Sequence, residues 1–328
     1  EKAPVDKIPL VTAGYGRSES QDGSVFGWNF PLIGTYWMGA DVLIQHIAKK
    51  EGGFDKLKGK KIALVYHDSP YGKEPIALLQ ERAKMHGYEL SLLPVAHPGV
   101  EQKATWLQIR QNKPDYVFLW GWGVMNSTSL KEAQATGYPR EKMYGIWWAG
   151  AEPDVKDVGD GAKGYNALAM QHGAEQGSKV VKEVLEKVHA KGQGTGPKEE
   201  VGQVLYMRGL ISAMLSVEGV RAAQARFGKG KRITGEQMRW GLENINLDQK
   251  TLDAMGFGGV MRPVQTSCLD HMGSAWARLH TWDGKKWNFS SDWYQGDEKV
   301  LRPLVISTAG KYADEKKIVR RTADDCKK

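Results

Sequence analysis

The sequence predicts an α/β fold in which helices pack outside a parallel sheet. The prediction rests on four apolar runs of strand length between Lys60 and Ala151, and on helix-like segments that follow the first three runs. Apolar runs that alternate with amphipathic segments are typical of parallel sheets, because each crossover lays a helix on the sheet. The four predicted strands are Lys61–His67, Glu89–Ala96, Asp115–Gly121 and Met143–Ala149.

Helix signals separate these strands. The segment Glu74–His86 carries an apolar stripe at helical spacing and ends at Gly87, a residue that favours helix termination. Asn126 is placed to cap a helix over Ser127–Thr136, which ends at Gly137.

The rest of the chain continues the alternation. Ile8–Thr12 predicts a strand, and Thr234 is placed to cap a short helix. Polar and apolar residues alternate on both sides of Asp283-Gly284, which predicts a β-hairpin. Longer helices are predicted at Gly34–Lys50, Gly177–Lys191, Glu200–Gly219 and Val300–Arg321.

Aromatic residues follow three of the predicted strands. Tyr71 follows the first strand, Trp122 the third, and Trp147 and Trp148 end the fourth. In open parallel sheets, ligands bind beyond the carboxyl ends of the strands. We therefore expect Tyr71, Trp122 and Trp147 or Trp148 to line one rim of a binding site. The alternative is that any single one of these rings belongs to the core.

A glycine-rich turn follows the Ile8–Thr12 strand. Gly14, Tyr15 and Gly16 form a Gly-x-Gly sequence whose backbone N–H groups are suited to holding a carboxylate. The full dinucleotide-binding pattern is absent, so a plain turn is the alternative.

Composition and charge limit the class of protein. A chain of 328 residues predicts two lobes, and the net charge of +8 is spread along the chain. No nucleic-acid-binding motif accompanies that charge, and no apolar run has the roughly 18 residues of a membrane span. The sequence shows no catalytic or metal-binding motif and no cofactor fingerprint. The chain begins at Glu1 without a signal peptide, which fits removal of such a segment.

The two cysteines, Cys268 and Cys326, lie far apart in the chain. Such a pair in an otherwise cysteine-free chain fits one disulfide in an oxidising compartment. Two unrelated thiols remain the alternative, and a nucleophilic Cys268 near His271 is the least supported reading.

The order of several motifs resembles that of the periplasmic solute-binding proteins of ABC transporters, in the type I family that binds branched-chain amino acids. The similarity covers nearly the whole chain. It rests on Ile8–Thr12 before the glycine-rich turn, Gly59–Val65 before Asp68–Gly72, Lys113–Phe118 and the Asp283–Lys285 hairpin.

The resemblance implies two doubly wound parallel-sheet lobes joined by three crossover strands. Residues 1–29 with 171–266 would form the first lobe, and residues 30–170 with 267–300 the second. Residues 301–328 would form a C-terminal helix and tail. Family members carry strands before the one that matches Ile8–Thr12, so we expect the first lobe to be incomplete in this chain.

The resemblance also indicates a ligand. In amino-acid-binding members, the turn that matches Gly14–Gly16 holds the ligand carboxylate, and an acidic residue after the fourth strand pairs with the ammonium. Trp147 and Trp148 occupy that acidic place here. A buried ammonium without a counter-charge is costly, so we expect an aromatic or otherwise apolar carboxylate that lacks an α-amino group. Arg17, Ser18 and Arg262 are candidate anion contacts.

The predicted protein is a monomeric, periplasmic, non-enzymatic component of an importer. It would capture its ligand by lobe closure and then dock on an ABC permease in the inner membrane, without a cofactor or nucleic acid. The alternatives are a ligand-sensing receptor or regulator on the same fold, binding of a branched-chain amino acid or amide, and a Rossmann-type enzyme.

Overall fold

The computed structural model describes residues 2–12, 14–171, 173 and 178–327. The chain divides into two units. Unit 1 comprises Glu1–Tyr36, Gln171–Trp276 and Asp297–Lys328, and unit 2 comprises Trp37–Met170 and Ala277–Gly296. The C-terminal helix and tail, predicted as a separate segment, thus belong to unit 1.

Helices and strands alternate through much of the chain. The α-helices are α1 Lys2–Asp6, α2 Tyr36–Glu51, α3 Pro70–Lys73, α4 Ile76–His86, α5 Lys103–Asn112, α6 Val124–Ala135, α7 Glu152–Val155, α8 Lys179–Lys187, α9 Val204–Phe227, α10 Gly235–Leu242, α11 Gln249–Ala254 and α12 Glu298–Lys316. The strands are β1 Leu10–Val11, β2 Asn29–Phe30, β3 Lys61–His67, β4 Glu89–Val95, β5 Tyr116–Trp120, β6 Met143–Gly145, β7 Asn166–Ala169, β8 Asn246–Leu247, β9 Val264–Gln265, β10 Trp276–Trp282, β11 Trp287–Phe289 and β12 Tyr294–Gln295.

Unit 2 is organised around an eight-stranded mixed sheet. Its strand order is β11-β10-β7-β6-β5-β3-β4, and β12 pairs with β10. The strands from β3 to β7 pair in parallel, whereas β10 runs antiparallel to β7 and to β11. The predicted parallel sheet and the predicted hairpin at Asp283-Gly284 are both confirmed.

The middle of this sheet is buried. Every residue of β5 is buried, and so are the five central residues of β3. Strands that are covered on both faces have no polar face, so they appear in sequence as continuous apolar runs. That burial explains why these two strands were predicted almost to the residue.

Local signals end or begin several helices as predicted. Gly87 adopts a left-handed conformation, with φ of 74°, and its N–H donates to Ala83 at the end of α4. Thr234 and Gln237 form a reciprocal capping box at the start of α10. These ends require only local hydrogen bonds, so neighbouring residues suffice to predict them.

Unit 1 is mainly helical in the part of the chain that the structure describes. Its strands form two small sheets there, β1 with β2 in parallel and β8 with β9 in antiparallel. The 24-residue helix α9 buries residues along its whole length and packs against α10. A disulfide joins Cys268 to Cys326 across 58 positions of sequence, which confirms the predicted pairing.

Several boundary predictions were wrong, among them the helix predicted over Val300–Arg321, which runs from Glu298 to Lys316 as α12. Asn126 lies inside α6, because Gly123 adopts a backbone conformation that starts the helix earlier. The predicted helix Glu200–Gly219 runs instead from Val204 to Phe227 as α9. The fourth predicted strand ends at Gly145, and Trp147–Ala149 form a 3-10 turn.

Candidate functional site

The carboxyl ends of β3 and β5 define a switch point in unit 2. The chain passes from β3 to β4 on one side, then returns to place β5 on the other side of β3. The connections leave these neighbouring strands in opposite directions. A crevice opens at such a point in doubly wound sheets and commonly holds the ligand.

A chain of hydrogen bonds joins the loops at this point. Tyr71, after β3, donates from its hydroxyl to the carbonyl of Gly121, after β5, at 2.9 Å. A Cβ on Gly121 would lie 2.3 Å from Asn126 Oδ1, so only glycine leaves room for that buried amide. The loops after β3 and β5 are thus held at a fixed distance.

Asn126 extends the connection to the loop after β6. Its Nδ2 donates to the carbonyl of Trp148 at 2.9 Å and to Asp154 Oδ1 at 2.8 Å. Asp154 Oδ2 in turn accepts from the backbone N–H of Ala151 at 2.9 Å. We call Tyr71, Gly121, Trp122, Asn126 and Trp148 the rim. Its hydrogen bonds connect the ends of three strands.

The aromatic residues of this region differ in exposure. Trp122 is 62% exposed, whereas Tyr71 is 9% exposed and Trp147 is fully buried. The Trp147 ring packs against α2, where a Cβ on Gly39 would lie 2.6 Å from Trp147 Cζ3. Trp148 is half-buried. Tyr71, Trp122 and Trp148 therefore lie at the rim, whereas the Trp147 ring packs in the core of unit 2. Contact of any of these four residues with a ligand stays a prediction.

A histidine pair lies beside Tyr71. His67 Nδ1 is 2.8 Å from Ser69 Oγ, and His67 Nε2 is 3.2 Å from His97 Nδ1. Burial and the neighbouring His97 lower the pKa of His67, so the neutral imidazole is favoured here. Asp68 pairs with Lys73 at 2.7 Å.

The glycine-rich turn of unit 1 directly follows β1. Gly14 and Gly16 have φ of 81° and 103°, values that glycine adopts without strain. The Tyr15 N–H donates to the carbonyl of Thr12, and its ring contacts Tyr36 edge-on at 6.4 Å. The turn predicted at this position is present, and its role in holding a carboxylate stays a prediction.

The three candidate anion contacts have different surroundings. Arg17 Nε donates to Glu19 Oε1 at 2.8 Å, and its guanidinium lies 4.4 Å from the ring centroid of Tyr312. Ser18 is fully buried in a 3-10 turn. Arg262 is half-buried over the Trp276 ring at 4.8 Å. Their contact with an anion also remains a prediction.

The described residues show neither a metal-ion cluster nor a membrane-spanning helix. Among the described residues, no three His, Cys, Asp or Glu side chains are grouped closely enough to hold a metal ion. Within the same residues, no helix has the length and apolar character needed to cross a membrane.

Sequence analysis missed the role of Asn126 and Asp154. Asn126 was interpreted as a helix cap, and Asp154 was not singled out. The two hydrogen-bond partners of Asn126, Trp148 and Asp154, lie 22 and 28 positions further along the chain. No local sequence pattern reveals contacts at that separation. A possible signal in the sequence is Gly121, five positions before Asn126, because its lack of a side chain makes room for the buried Asn126 amide.

These features define an α/β protein with a switch point in its sheet, and comparisons with known proteins identify its family. A family model described as periplasmic binding protein matches residues 2–286. A search of curated proteins found no match. A solved structure from the Pseudomonas fluorescens group, described as an ABC transporter permease, is 44% identical with a TM-score of 0.93. The alignment covers 98% of this chain and 77% of that one.

Two more distant structures share the fold alone. One is a branched-chain amino-acid ABC transporter from Thermus thermophilus with bound valine, at 22% identity and a TM-score of 0.75. It covers 92% of this chain and 76% of that one. The other, from Rhodopseudomonas palustris BisB5, is a solute-binding protein with 3,4-dihydroxybenzoic acid, at 18% identity and a TM-score of 0.63. It covers 90% of this chain and 74% of that one.

The chain belongs to the periplasmic binding protein family. Its fold is the type I fold of that family, as the sequence predicted. The family consists of extracytoplasmic binding proteins that serve ABC transporters, and not of enzymes.

Proposed function

We propose that this chain is the solute-binding component of an ABC importer, and that it captures a small aromatic carboxylate by closure of its two units on the ligand. The observation that carries the proposal is the pair Tyr71 and Trp122 at the switch point of unit 2. Trp122 presents an exposed indole there, while the rim hydrogen bonds fix the loops that carry both rings. Flat aromatic rings stack favourably on indole and phenol side chains.

The acidic residues near the rim support a ligand without an ammonium group. Asp154 is buried and accepts hydrogen bonds from Asn126 and from the Ala151 N–H. Asp68 pairs with Lys73. Both carboxylates are therefore engaged inside unit 2. A buried ammonium needs a carboxylate partner, and Asp154 and Asp68 are already engaged by these other contacts.

The proposed anchor for the ligand carboxylate is the turn of Gly14, Tyr15 and Gly16 in unit 1. Its glycines adopt positive φ, a conformation in which successive N–H groups can converge on an anion. Structures of the same fold hold a dihydroxybenzoic acid in one case and valine in another. The fold therefore admits both ligand classes, and the side chains at the rim decide between them.

The test is a thermal-shift screen of the purified protein against benzoate, phenylacetate, cinnamate, leucine and valine. A ligand that binds only the native state raises the melting temperature. We expect the aromatic acids to raise it and the amino acids to leave it unchanged. Stabilisation by leucine alone would contradict the proposed ligand class and would direct attention to Glu152 or Asp154 as ammonium partners.

A further inference from the structure

Unit 1 contains a depression rich in cations. Its volume is about 520 Å³, within the roughly 300–1,000 Å³ of small-molecule sites. Among its described lining residues, four are cationic and none is acidic. We call it the arginine cavity and define it by Arg17, Arg239, Lys316 and Arg321.

The acids behind this cavity neutralise only part of its charge. Glu19 pairs with Arg17, and Glu243 accepts from Arg321 Nη2 at 3.0 Å. Glu243 also contacts the buried His271, whose Nε2 lies 3.3 Å from its Oε1. Each of these carboxylates is therefore committed to an arginine that lines the cavity.

Arg239 interacts with Glu243 more weakly than Arg321 does. Its Nε is 3.9 Å from Glu243 Oε1, beyond hydrogen-bond distance. That buried Nε has no hydrogen-bond partner among the described residues. Burial and the neighbouring Arg321 charge lower the pKa of Arg239. Both effects destabilise the charged guanidinium, and a nearby anion would counter them. A buried donor without an acceptor is destabilising, and an anion near the Arg239 guanidinium would offset part of that cost through its charge.

Lys316 adds a further cation at the cavity. It is exposed at the end of α12, and no ion pair to it occurs among the described residues. Among the described residues, no carboxylate therefore lies within hydrogen-bond distance of the Arg239 or Lys316 side chain. The cavity has an excess of two positive charges over the acids that contact its lining.

Aromatic rings complete the lining. The rings of Phe26 and Tyr312 stack at 5.1 Å, and the Arg17 guanidinium lies over both. The Arg239 guanidinium lies 4.6 Å from the ring centroid of Trp28. Stacked guanidinium groups keep their N–H donors in their own plane, where they bind carboxylates in a planar geometry. The cavity therefore combines flat apolar surfaces with two cations, Arg239 and Lys316, that no carboxylate among the described residues hydrogen-bonds.

We propose that the arginine cavity is a second binding site, and that it takes a small aromatic dianion such as a benzene dicarboxylate. One carboxylate would contact Arg239, the other would contact Lys316, and the ring would lie against the aromatic lining. The proposal concerns unit 1 alone and does not depend on the function proposed for the rim.

The test uses 5-bromoisophthalate as the probe and its neutral diamide as the control ligand. We expect titration calorimetry to show binding of the dicarboxylate and none of the diamide. Arg239→Gln and Lys316→Gln should each weaken binding about tenfold, because each removes a charged contact. The matched control is Lys311→Gln, an exposed lysine on the same helix that does not line the cavity, and it should bind normally.

Other results would overturn the proposal. Absence of binding, or equal weakening by Lys311→Gln, would show that only diffuse charge acts here. In crystals grown with the probe, anomalous scattering from bromine should lie in the cavity, and a bromine peak only elsewhere would exclude the site. If Arg239→Gln fails to fold, Lys316→Gln still decides, since its side chain is exposed. Because the probe is an aromatic carboxylate that the proposed rim site would also take, each titration is repeated in the Trp122→Ala background. Binding that persists there and is weakened by Arg239→Gln and Lys316→Gln belongs to the cavity, whatever the outcome for the rim.

Discussion

Asp41 and Arg82 form an ion pair inside unit 2 that water barely reaches, with side-chain exposures of 0% and 2%. The pair joins α2 to α4, and Arg82 Nε donates to Asp41 Oδ1 at 2.7 Å. Gln45 donates to the same carboxylate, and His86 contacts the same guanidinium. Each charge therefore depends on the other for its partner in a low-dielectric environment.

We expect Asp41→Asn to lower the free energy of unfolding by roughly 3–5 kcal/mol, since it leaves the Arg82 charge buried and unpaired. Urea denaturation followed by circular dichroism measures the loss. Glu81→Gln, which removes the exposed partner of Lys84 on the same helix, is the control and should change stability by less than about 1 kcal/mol. Equal losses in the two variants would contradict a structural role for the buried pair.

The positions of Tyr71 and Trp122 beyond their strands could be predicted from the sequence, and their contact with a ligand stays a prediction. Tyr71 and Trp122 were assigned to the rim because each directly follows a strand that a buried apolar run identifies. Asn126 was misassigned, since its role depends on Trp148 and Asp154, more than twenty positions away. Trp147 and Trp148 are adjacent in sequence, but only the 3-10 turn determines that one faces the core.

At the scale of elements, the contact of α9 with α10 depends on two glycines. A Cβ on Gly241 would lie 2.0 Å from the carbonyl oxygen of Gly219. A Cβ on Gly219 would lie 2.7 Å from Leu242 Cδ2. The predicted helix Glu200–Gly219 ended at this glycine. The structure shows that this glycine instead allows close helix packing, which no local pattern reveals.

We expect Gly241→Ala to destabilise unit 1 by about 1–3 kcal/mol, because its methyl group collides with backbone. Gly209→Ala is the matched control, since Gly209 lies inside α9, the helix that packs against α10, and a Cβ there meets nothing within 4 Å. Alanine favours a helix over glycine, so the control should be neutral or stabilising by up to about 1 kcal/mol. Denaturant unfolding of both variants measures the contrast. Tolerance of Gly241→Ala would show that α9 and α10 separate without cost.

At the scale of the whole molecule, the fold class followed from the alternation of apolar runs and helices. The order of the strands did not follow from it entirely. β10 joins the sheet beside β7 although more than one hundred positions separate them, as in the pair Leu279 and Leu168. Pairing of this kind depends on tertiary contacts. A single sequence predicts the hairpin of β10 and β11 but not that β10 pairs with β7.

The disulfide contributes to the stability of the molecule through its C-terminal end. The bond between Cys268 and Cys326 closes a loop of 58 positions, which limits the freedom of the unfolded chain. Chain entropy predicts that reduction lowers the free energy of unfolding by roughly 4 kcal/mol. Melting temperatures with and without dithiothreitol measure the loss. The double variant Cys268→Ser with Cys326→Ser should not respond to the reductant, and a response would assign the effect to something other than this bond.

We propose above that the exposed indole of Trp122, just after β5, binds an aromatic acid. Titration calorimetry of benzoate against the wild-type protein and Trp122→Ala tests it most directly. Leu107→Ala, at a similarly exposed apolar residue on α5, is the matched control. We predict that Trp122→Ala weakens benzoate binding by about tenfold or more, while Leu107→Ala leaves it unchanged. Unaltered benzoate affinity in a folded Trp122→Ala protein would contradict the claim.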